Sequence, residues 1–243
     1  MTLPFTLAPP TGPNLGLIVL QADETIELEM RQLLPDVPYY VSRVPSGTNV
    51  TPDTLTQMAN HLTTAADLLP RGMTFDTVAY ACTSAASFIG SDRINSLITR
   101  STPTAHTTDP VRALIAACKH MRLQRLGLIT PYIASVSDRL RSTLQTAGIT
   151  TPAFGSFNQS QESKVVRIDT ASLVAAGRQI AAQAPIDGLF LSCTNLRTLA
   201  AIPQLEASLN LPVISSNSAL AWHMTQLAKT TNSPFGCKLN SQS

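Results

Sequence analysis

The sequence predicts an α/β fold of two similar halves, with parallel sheets related by a pseudo-twofold axis. Three observations support this fold class. Short apolar runs alternate with longer helical patterns, as they do where parallel strands are covered by helices. Several residues recur at one constant spacing along the chain. Hydrophobic residues make up 44% of the 243 residues and charged residues only 13%, which is ample material for a buried core.

The first half is predicted to span residues 15–122. It opens with the apolar run 15–21 as a strand, and residues 23–34 follow as a helix. A single helix is predicted over 51–69, because Thr51 suits an N-cap and Pro52 suits the first turn. The remaining elements of this half are predicted strands at 39–44 and 76–82 and a predicted helix at 110–121.

The second half is predicted to span residues 123–230 and to follow the same plan. Its strands are predicted at 126–132, 188–193 and 211–217, and its helices at 136–148, 169–183 and 219–228. The last of these helices could pack on the first half. Residues 1–14 are expected to form an N-terminal arm, and residues 231–243 a C-terminal tail.

The repeat has a constant offset of 111 positions. It covers the first strand of each half and the turn after the third, where an Asp, an apolar run and a Cys-Thr pair return in the same order. The matching pairs are Gly16 and Gly127, Asp76 and Asp187, Cys82 and Cys193, and Thr83 and Thr194. Ligands of open parallel sheets bind beyond the carboxyl ends of the strands. The two repeated cysteines are therefore expected on opposite sides of one cleft, which would hold the active site.

Two cysteines in such positions could act as a catalytic pair. Helix N-terminal N–H groups can lower the pKa of a thiol at a strand-to-helix turn. One thiol could then remove a proton from a substrate carbon while the other delivers one, or one could add to an activated alkene. Most free cysteines are simply small buried hydrophobic residues, and that reading is preferred for Cys118 and Cys237.

Polar residues around these turns suit a small carboxylate substrate, because they place hydroxyl, amide and backbone donors at several strand ends. The predicted substrate-binding residues are Gln21, Asp23, Thr83, Ser84, Tyr132, Thr194, Asn195 and Asn217. Each of these could instead be a helix cap. Asp23 is the clearest example, since a helical pattern begins directly after it.

Composition argues against several other classes of function. Lys and Arg number 17 against 15 Asp and Glu, which gives no electrostatic footprint for nucleic acid or membrane. Four cysteines without a paired framework indicate reduced thiols and a cytoplasmic protein. The four histidines lack the spacing of metal ligands. The helices carry few charges, so a homo-oligomer, a dimer or a tetramer, is expected.

Several stretches together carry a resemblance that runs from about Gly16 to Leu227. They are "ACTSAASFIG", "TPYIASVSDRL", "RIDTASL", "LSCTNLRTLAAIPQLE" and "LPVISSNSALAWHM". The chain resembles the aspartate/glutamate racemase superfamily, and within it the branch of maleate cis-trans isomerases and arylmalonate decarboxylases. "LQADETIE" and "SCTNLRT" are also similar to racemase-like proteins associated with ectoine utilisation. This resemblance implies two α/β halves around a cleft, no metal and no organic cofactor.

The resemblance also implies roles for individual residues. Cys82 and Cys193 match the two cysteines of the isomerases and racemases. Cys82 would add to the double bond of maleate, and Cys193 would serve as the acid and base. Thr83, Ser84 and Tyr132 match residues that hold a substrate carboxylate in the decarboxylases. Those enzymes typically have a glycine at the position of Cys82, which argues against decarboxylation here.

Two departures concern the substrate. The isomerases usually have an asparagine where this chain has Asp23, and a carboxylate there would favour a substrate with an amino group. The second asparagine of the isomerases has no aligned match, since Asn158 is displaced from it. The expected function is maleate-type cis-trans isomerisation through a cysteine adduct. The alternatives are racemisation of an amino acid or hydantoin by two thiols, arylmalonate-type decarboxylation, and binding of a small molecule without catalysis.

Overall fold

The computed structural model describes residues 1–8 and 12–230, and it contains two four-stranded parallel sheets flanked by helices. The predicted fold class is confirmed. Each sheet has the same order of strands: the first strand of the half lies inside the sheet between its second and third, and the fourth is at the edge. This shared order is the topology expected of a duplicated unit.

The first half contains four strands and six helices among the described residues. Its strands are β1 (Leu15–Leu20), β2 (Tyr39–Val44), β3 (Phe75–Ala81) and β4 (Thr104–Thr108), in the sheet order β2-β1-β3-β4. Its helices are α1 (Ile26–Leu33), α2 (Pro52–Gln57), α3 (Ala59–Asp67), α4 (Thr83–Ile89), α5 (Ser91–Thr99) and α6 (Pro110–Met121).

The second half contains four strands and five helices within the described range. Its strands are β5 (Arg125–Thr130), β6 (Thr150–Ser156), β7 (Gly188–Leu191) and β8 (Val213–Ser215), in the sheet order β6-β5-β7-β8. Its helices are α7 (Ala134–Thr146), α8 (Glu162–Val165), α9 (Thr170–Ala181), α10 (Ala201–Leu209) and α11 (Ser216–Leu227).

The helix predicted over 51–69 is divided in two at Met58, the residue between α2 and α3. Its N-terminal cap is as predicted: the Thr51 hydroxyl accepts a hydrogen bond from the Thr54 N–H, and Pro52 is the first helical residue. The strand predicted at 211–217 is shorter than expected. It ends at Ser215, whose hydroxyl caps α11, so Ser216 and Asn217 are helical.

The two repeated aspartates perform the same structural task in each half. The Asp76 carboxylate accepts a hydrogen bond of 2.8 Å from the backbone N–H of Asn14. The Asp187 carboxylate accepts one of 2.9 Å from the N–H of Arg125, which lies 111 positions after Asn14. Each aspartate thus fixes the start of the neighbouring first strand. The aspartate of the repeated motif therefore has a structural role, and the cysteine is the residue of the motif that could react with a substrate.

Helix α11 follows β8 in the chain but packs on the first half, against α6 and β3. Trp222 of this helix is buried, and its ring centroid lies 5.4 Å from that of His120 in α6. The first sheet is therefore covered in part by the C-terminal helix.

The first eight residues take no part in either sheet. Residues 1–8 form neither helix nor strand, and Leu3, Phe5 and Leu7 are exposed. The predicted tail at 231–243, with Cys237, lies outside the described residues. In the part of the chain that is described, no helix is long and apolar enough to cross a membrane.

Candidate active site

Cys82 lies directly after β3 and is the N-cap of α4. Its sulfur accepts a hydrogen bond of 3.4 Å from the Ala85 N–H and lies 3.4 Å from the Ser84 hydroxyl. The residue is almost completely buried, at 2% exposure. The thiol therefore sits at the carboxyl end of a central strand, as the sequence predicted.

Cys193 lies just beyond the end of β7 and has an unusual backbone conformation. Its φ is 126°, a backbone conformation that residues other than glycine rarely adopt and that costs about 1–3 kcal/mol. The Cys193 N–H donates to the Ser216 hydroxyl at 2.9 Å, and the sulfur accepts from the Asn195 N–H at 3.4 Å. The expectation of a helix start directly after this cysteine is wrong, because α10 begins only at Ala201.

The two cysteine turns meet at one hydroxyl group. Ser216 Oγ accepts hydrogen bonds from the Cys193 N–H and from the Thr83 hydroxyl, the latter at 2.7 Å. The Thr194 hydroxyl in turn donates to the Ala81 carbonyl at 3.4 Å. The residues that flank the two thiols are thus in direct contact, and both thiols belong to one site between the halves.

Both thiols have a raised pKa, which is the opposite of the sequence expectation. Burial raises the pKa of Cys82 to about 12, against the smaller lowering effects of Ser84 and the Ala85 N–H. Burial also raises the pKa of Cys193 well above its usual range, and the charge of Glu162 adds to the effect. Desolvation of a thiolate outweighs one or two long N–H contacts. Both cysteines are therefore protonated when the site is empty.

A buried pair of carboxyl groups lies beside the thiols. Asp23 Oδ1 accepts hydrogen bonds of 2.8 Å from the N–H groups of Thr25 and Ile26, so this oxygen caps the start of α1. Glu162, the first residue of α8, accepts a bond of 2.8 Å from the Asn195 amide. Burial raises the pKa of Glu162 to about 7, and the charge of Asp23 contributes to this shift.

The sequence did not predict Glu162 as a residue of the site. It lies in the polar stretch "FNQSQESKV", where a glutamate at the start of a short helix is ordinary. Its position 111 residues earlier is Thr51, a helix cap, so the repeat gives no signal either. Asn158, the residue that the sequence offered in this region, is exposed and lies outside the buried cluster.

Tyr132 presents a buried hydroxyl to the site, close to the side chains of Ser192 and Cys193. The hydroxyl is buried and has no hydrogen-bond partner among the described residues, and the Ser192 hydroxyl shares this condition. The charges of Cys193 and Cys82 both contribute to a raised pKa of Tyr132, although burial is the main cause. The phenol is thus a neutral donor close to both thiols, available to a ligand.

The remaining predicted residues divide into two groups. Asn195 and Asn217 are buried and hold the site together: Asn195 Oδ1 accepts from the Glu24 N–H, and the Asn217 amide donates to the Thr194 carbonyl. Asn217 Oδ1 has no partner within the described range. Gln21, in contrast, is exposed at the end of β1, outside the buried cluster.

Two loops meet at Glu162 in a short antiparallel pairing, here named the loop clasp (residues 48–50 and 160–162). The Val50 N–H donates to the Ser160 carbonyl at 2.7 Å, and the Glu162 N–H donates to the Thr48 carbonyl at 3.2 Å. The clasp joins a loop of the first half to a loop of the second. It therefore holds Glu162, which also accepts the hydrogen bond from Asn195, against the first half.

Within residues 1–8 and 12–230, no group of three or more His, Cys, Asp or Glu side chains is arranged so that it could bind a metal ion.

Comparison with known proteins places this geometry in a family. The model of the arylmalonate decarboxylase family matches residues 15–238. Arylmalonate decarboxylase of Bordetella bronchiseptica is 29% identical over 220 residues, which cover 89% of this chain and 90% of that protein. Maleate isomerase of Nocardia farcinica is 25% identical over 226 residues, 86% of this chain and 87% of that protein. A structure of the Nocardia farcinica maleate cis-trans isomerase with a covalently bound succinylcysteine intermediate has a TM-score of 0.83 at 20% identity, covering 96% of this chain and 100% of that one.

Proposed function

Because the chain belongs to the arylmalonate decarboxylase family, we propose that it is a cofactor-independent isomerase that acts on a small carboxylate with Cys82 and Cys193. The observation that carries this proposal is the meeting of the two cysteine turns at the Ser216 hydroxyl. A decarboxylase needs one proton donor, whereas isomerisation has a use for a thiol on each side of the substrate. The hydroxyls of Thr83, Ser84 and Tyr132 are the proposed partners of the substrate carboxylate.

One course of the proposed reaction is proton transfer. One cysteine, as a thiolate, takes the proton from the carbon next to the carboxylate, so a C–H bond breaks and an S–H bond forms. The electron pair passes into an enolate, whose oxygen accepts hydrogen bonds from the hydroxyl donors. The second thiol then gives its proton to the opposite face of the carbon. The configuration is inverted and no proton is gained or lost.

The other course is cis-trans isomerisation of maleate. Cys82, as a thiolate, adds to the double bond, so an S–C bond forms and the electron pair moves to the neighbouring carbon, where the Cys193 S–H bond breaks and supplies a proton. Rotation about the resulting single bond follows. Cys193 then takes the proton back, the S–C bond breaks, and the double bond returns in the trans form. The isomerase relative and the fold shared with the succinylcysteine structure support this course.

Arylmalonate-type decarboxylation is the second candidate function, favoured by the 29% identical relative. In that reaction Cys193 alone would protonate the carbon that loses carbon dioxide. Cys82 would then have no chemical task, although it is buried in the same cluster and is affected by the same carboxylates. This unused thiol is the reason that isomerisation is preferred.

Serine variants of the two cysteines test the proposal. Cys82→Ser and Cys193→Ser are expected to fold but to lose activity by about 10²–10⁴-fold, since each removes a reacting group. Activity is followed by proton NMR in D2O with maleate, aspartate, glutamate, hydantoins and phenylmalonate in turn.

Cys118→Ala is the matched control, because Cys118 is buried in α6 away from the site. Fumarate from maleate would support the adduct course, and loss of an α-proton signal without a new product would support proton transfer. Carbon dioxide from phenylmalonate with full activity in Cys82→Ser would reject the two-thiol proposal.

A further inference from the structure

One oxygen of the Asp23 carboxylate has no hydrogen-bond partner within 3.5 Å among the described residues, although the Thr194 hydroxyl lies near this carboxylate. While Oδ1 caps α1 through the N–H groups of Thr25 and Ile26, Oδ2 is buried and has no hydrogen bond within the described residues. Capping of α1 uses only Oδ1, so it does not explain why Oδ2 is buried. An unpaired buried carboxylate oxygen is costly, so the second oxygen points to a ligand that donates hydrogen bonds to it.

Glu162 brings a second carboxyl group to the same place, because the Asn195 amide donates to Glu162 at 2.8 Å while Asn195 Oδ1 accepts a bond of 2.9 Å from the N–H of Glu24, the residue after Asp23. Its charge contributes to the raised pKa of both Cys82 and Cys193, and so does the charge of Asp23. The charge of Asp23 also raises the pKa of Glu162. These four groups therefore form one cluster. Two thiols and two carboxyls share a site that is shielded from solvent.

Among the described residues, no buried cation balances these acids. The buried charged side chains of the described residues are four carboxyls, those of Asp23, Glu29, Asp109 and Glu162, without a single Lys, Arg or His. The cation whose charge acts on Asp23 is Arg43, whose guanidinium donates to the carbonyls of Leu20 and Asp23 and pairs with Glu27. Its side chain is 44% exposed. Arg43 is thus occupied at the rim of the site.

From this arrangement we propose that Asp23 Oδ2 and the Glu162 carboxylate form an ammonium subsite, so that the substrate carries a protonated primary amine as well as its carboxylate. The inference rests on the proposed function, because it assigns the substrate of that same two-thiol site. A primary ammonium has three N–H donors and no acceptor. It can bond to both carboxylates and compensate their charge, whereas a dicarboxylate would bring two more negative charges to a site without a buried cation.

The subsite also orients the substrate. The ammonium binds on the side of Asp23 and Glu162, and the carboxylate binds to the hydroxyls of Thr83, Ser84 and Tyr132. Two anchored groups of opposite charge fix the carbon between them relative to both thiols. This selects amino carboxylates over the amine-free acids of the same carbon skeleton.

The test measures binding separately from turnover. Calorimetric titrations use the Cys82→Ser variant with aspartate, glutamate and ornithine, and with the matched amine-free acids succinate, glutarate and valerate. At least one amino carboxylate is expected to bind at least tenfold more tightly than its match. Asp23→Asn and Glu162→Gln are each expected to reduce this preference at least tenfold. Both variants keep the oxygen that the protein itself uses, so the fold is preserved.

Glu24→Gln is the control, since this exposed carboxylate lies beside Asp23 but outside the cluster. The proposal is overturned if the amine-free acid binds as tightly in every pair, if no amino carboxylate binds, or if Asp23→Asn and Glu162→Gln leave the preference unchanged. If the enzyme turns over an amine-free acid, loses this activity in the serine variants and binds amino carboxylates no more tightly, the ammonium subsite alone would be overturned. An amine preference together with activity that survives in both serine variants would overturn the two-thiol function alone.

Discussion

The thiols of Cys82 and Cys193 are held in their protonated form by burial. Neither can attack or take a proton until it has lost its own, so activation must accompany substrate binding. Burial is the main cause of the raised pKa of both thiols, and the charges of Asp23 and Glu162 add to it. A bound ammonium of the proposed substrate would offset these two charges and so favour the thiolate. The same burial protects both thiols from oxidation while the site is closed.

Glu162 should make the stability of the protein depend on pH. Its pKa is about 7 in the folded chain and 4.5 in the reference state. A carboxyl with a raised folded pKa stabilises the fold below pH 4.5, and this contribution is lost as the pH rises through about 7. Relative to Glu162→Gln, the free energy of unfolding of the wild type should therefore fall by about 3 kcal/mol across this range.

Urea denaturation at several pH values between 4 and 8 measures this difference. Glu24→Gln serves as the control and should follow the wild type at every pH, because its carboxylate is exposed. A constant difference between the wild type and Glu162→Gln would contradict the raised pKa of Glu162.

At the scale of the elements, we expect the loop clasp to control access to the thiols, because it joins the two halves at Glu162, the hydrogen-bond partner of Asn195. Removing the Val50 N–H by Val50→Pro eliminates its hydrogen bond to the Ser160 carbonyl. One lost hydrogen bond of about 1 kcal/mol should raise the population of the open cleft about fivefold. Alkylation of Cys82 and Cys193 by iodoacetamide, followed by mass spectrometry, should accelerate by the same factor.

Val50→Ala is the matched control for this experiment. It removes most of the same buried side chain but keeps the N–H, so it separates loss of the clasp bond from loss of packing. Alkylation of Cys118 reports general unfolding in the same samples. Equal rates in Val50→Pro and Val50→Ala would show that the clasp does not gate the site.

The central strands and the edge strands β2 and β8 could be predicted from the sequence, but the edge strands β4 and β6 could not. Strands β1, β3, β5 and β7 are largely buried and read as apolar runs. The edge strands β4, "TAHTT", and β6, "TTPAFGS", are half-exposed and carry no such pattern.

The same contrast holds in the candidate site. Cys82 and Cys193 were visible through the repeat. The positions of Glu162 and of the buried Ser192 hydroxyl in the site depend on tertiary contacts between the halves. No local sequence pattern encodes these contacts.

At the scale of the whole molecule, Glu29 ties the two halves together. This buried residue of α1 accepts hydrogen bonds from the N–H groups of Thr198 and Leu199 and from the Asn217 amide. Glu29→Ala would leave these donors buried without a partner. The free energy of unfolding is expected to fall by about 3 kcal/mol or more, as measured by urea denaturation.

The exposed Glu24, on the loop before the same helix, provides the comparison for Glu29. Glu24→Ala should change the free energy of unfolding by less than about 1 kcal/mol, because its ion pair with Arg167 is long and exposed. If Glu29→Ala were no more destabilising than Glu24→Ala, the contact between the halves would not depend on this carboxyl group.

The return of α11 to the first sheet has a consequence for synthesis of the chain. On the ribosome, the first half emerges with the faces of α6 and β3 that α11 covers still open to water. These faces stay open until residue 227 has left the exit tunnel. The part of the protein that is made first is thus completed last. The growing chain therefore exposes an apolar surface that can aggregate during elongation. The first half cannot complete its fold before the second half has been synthesised.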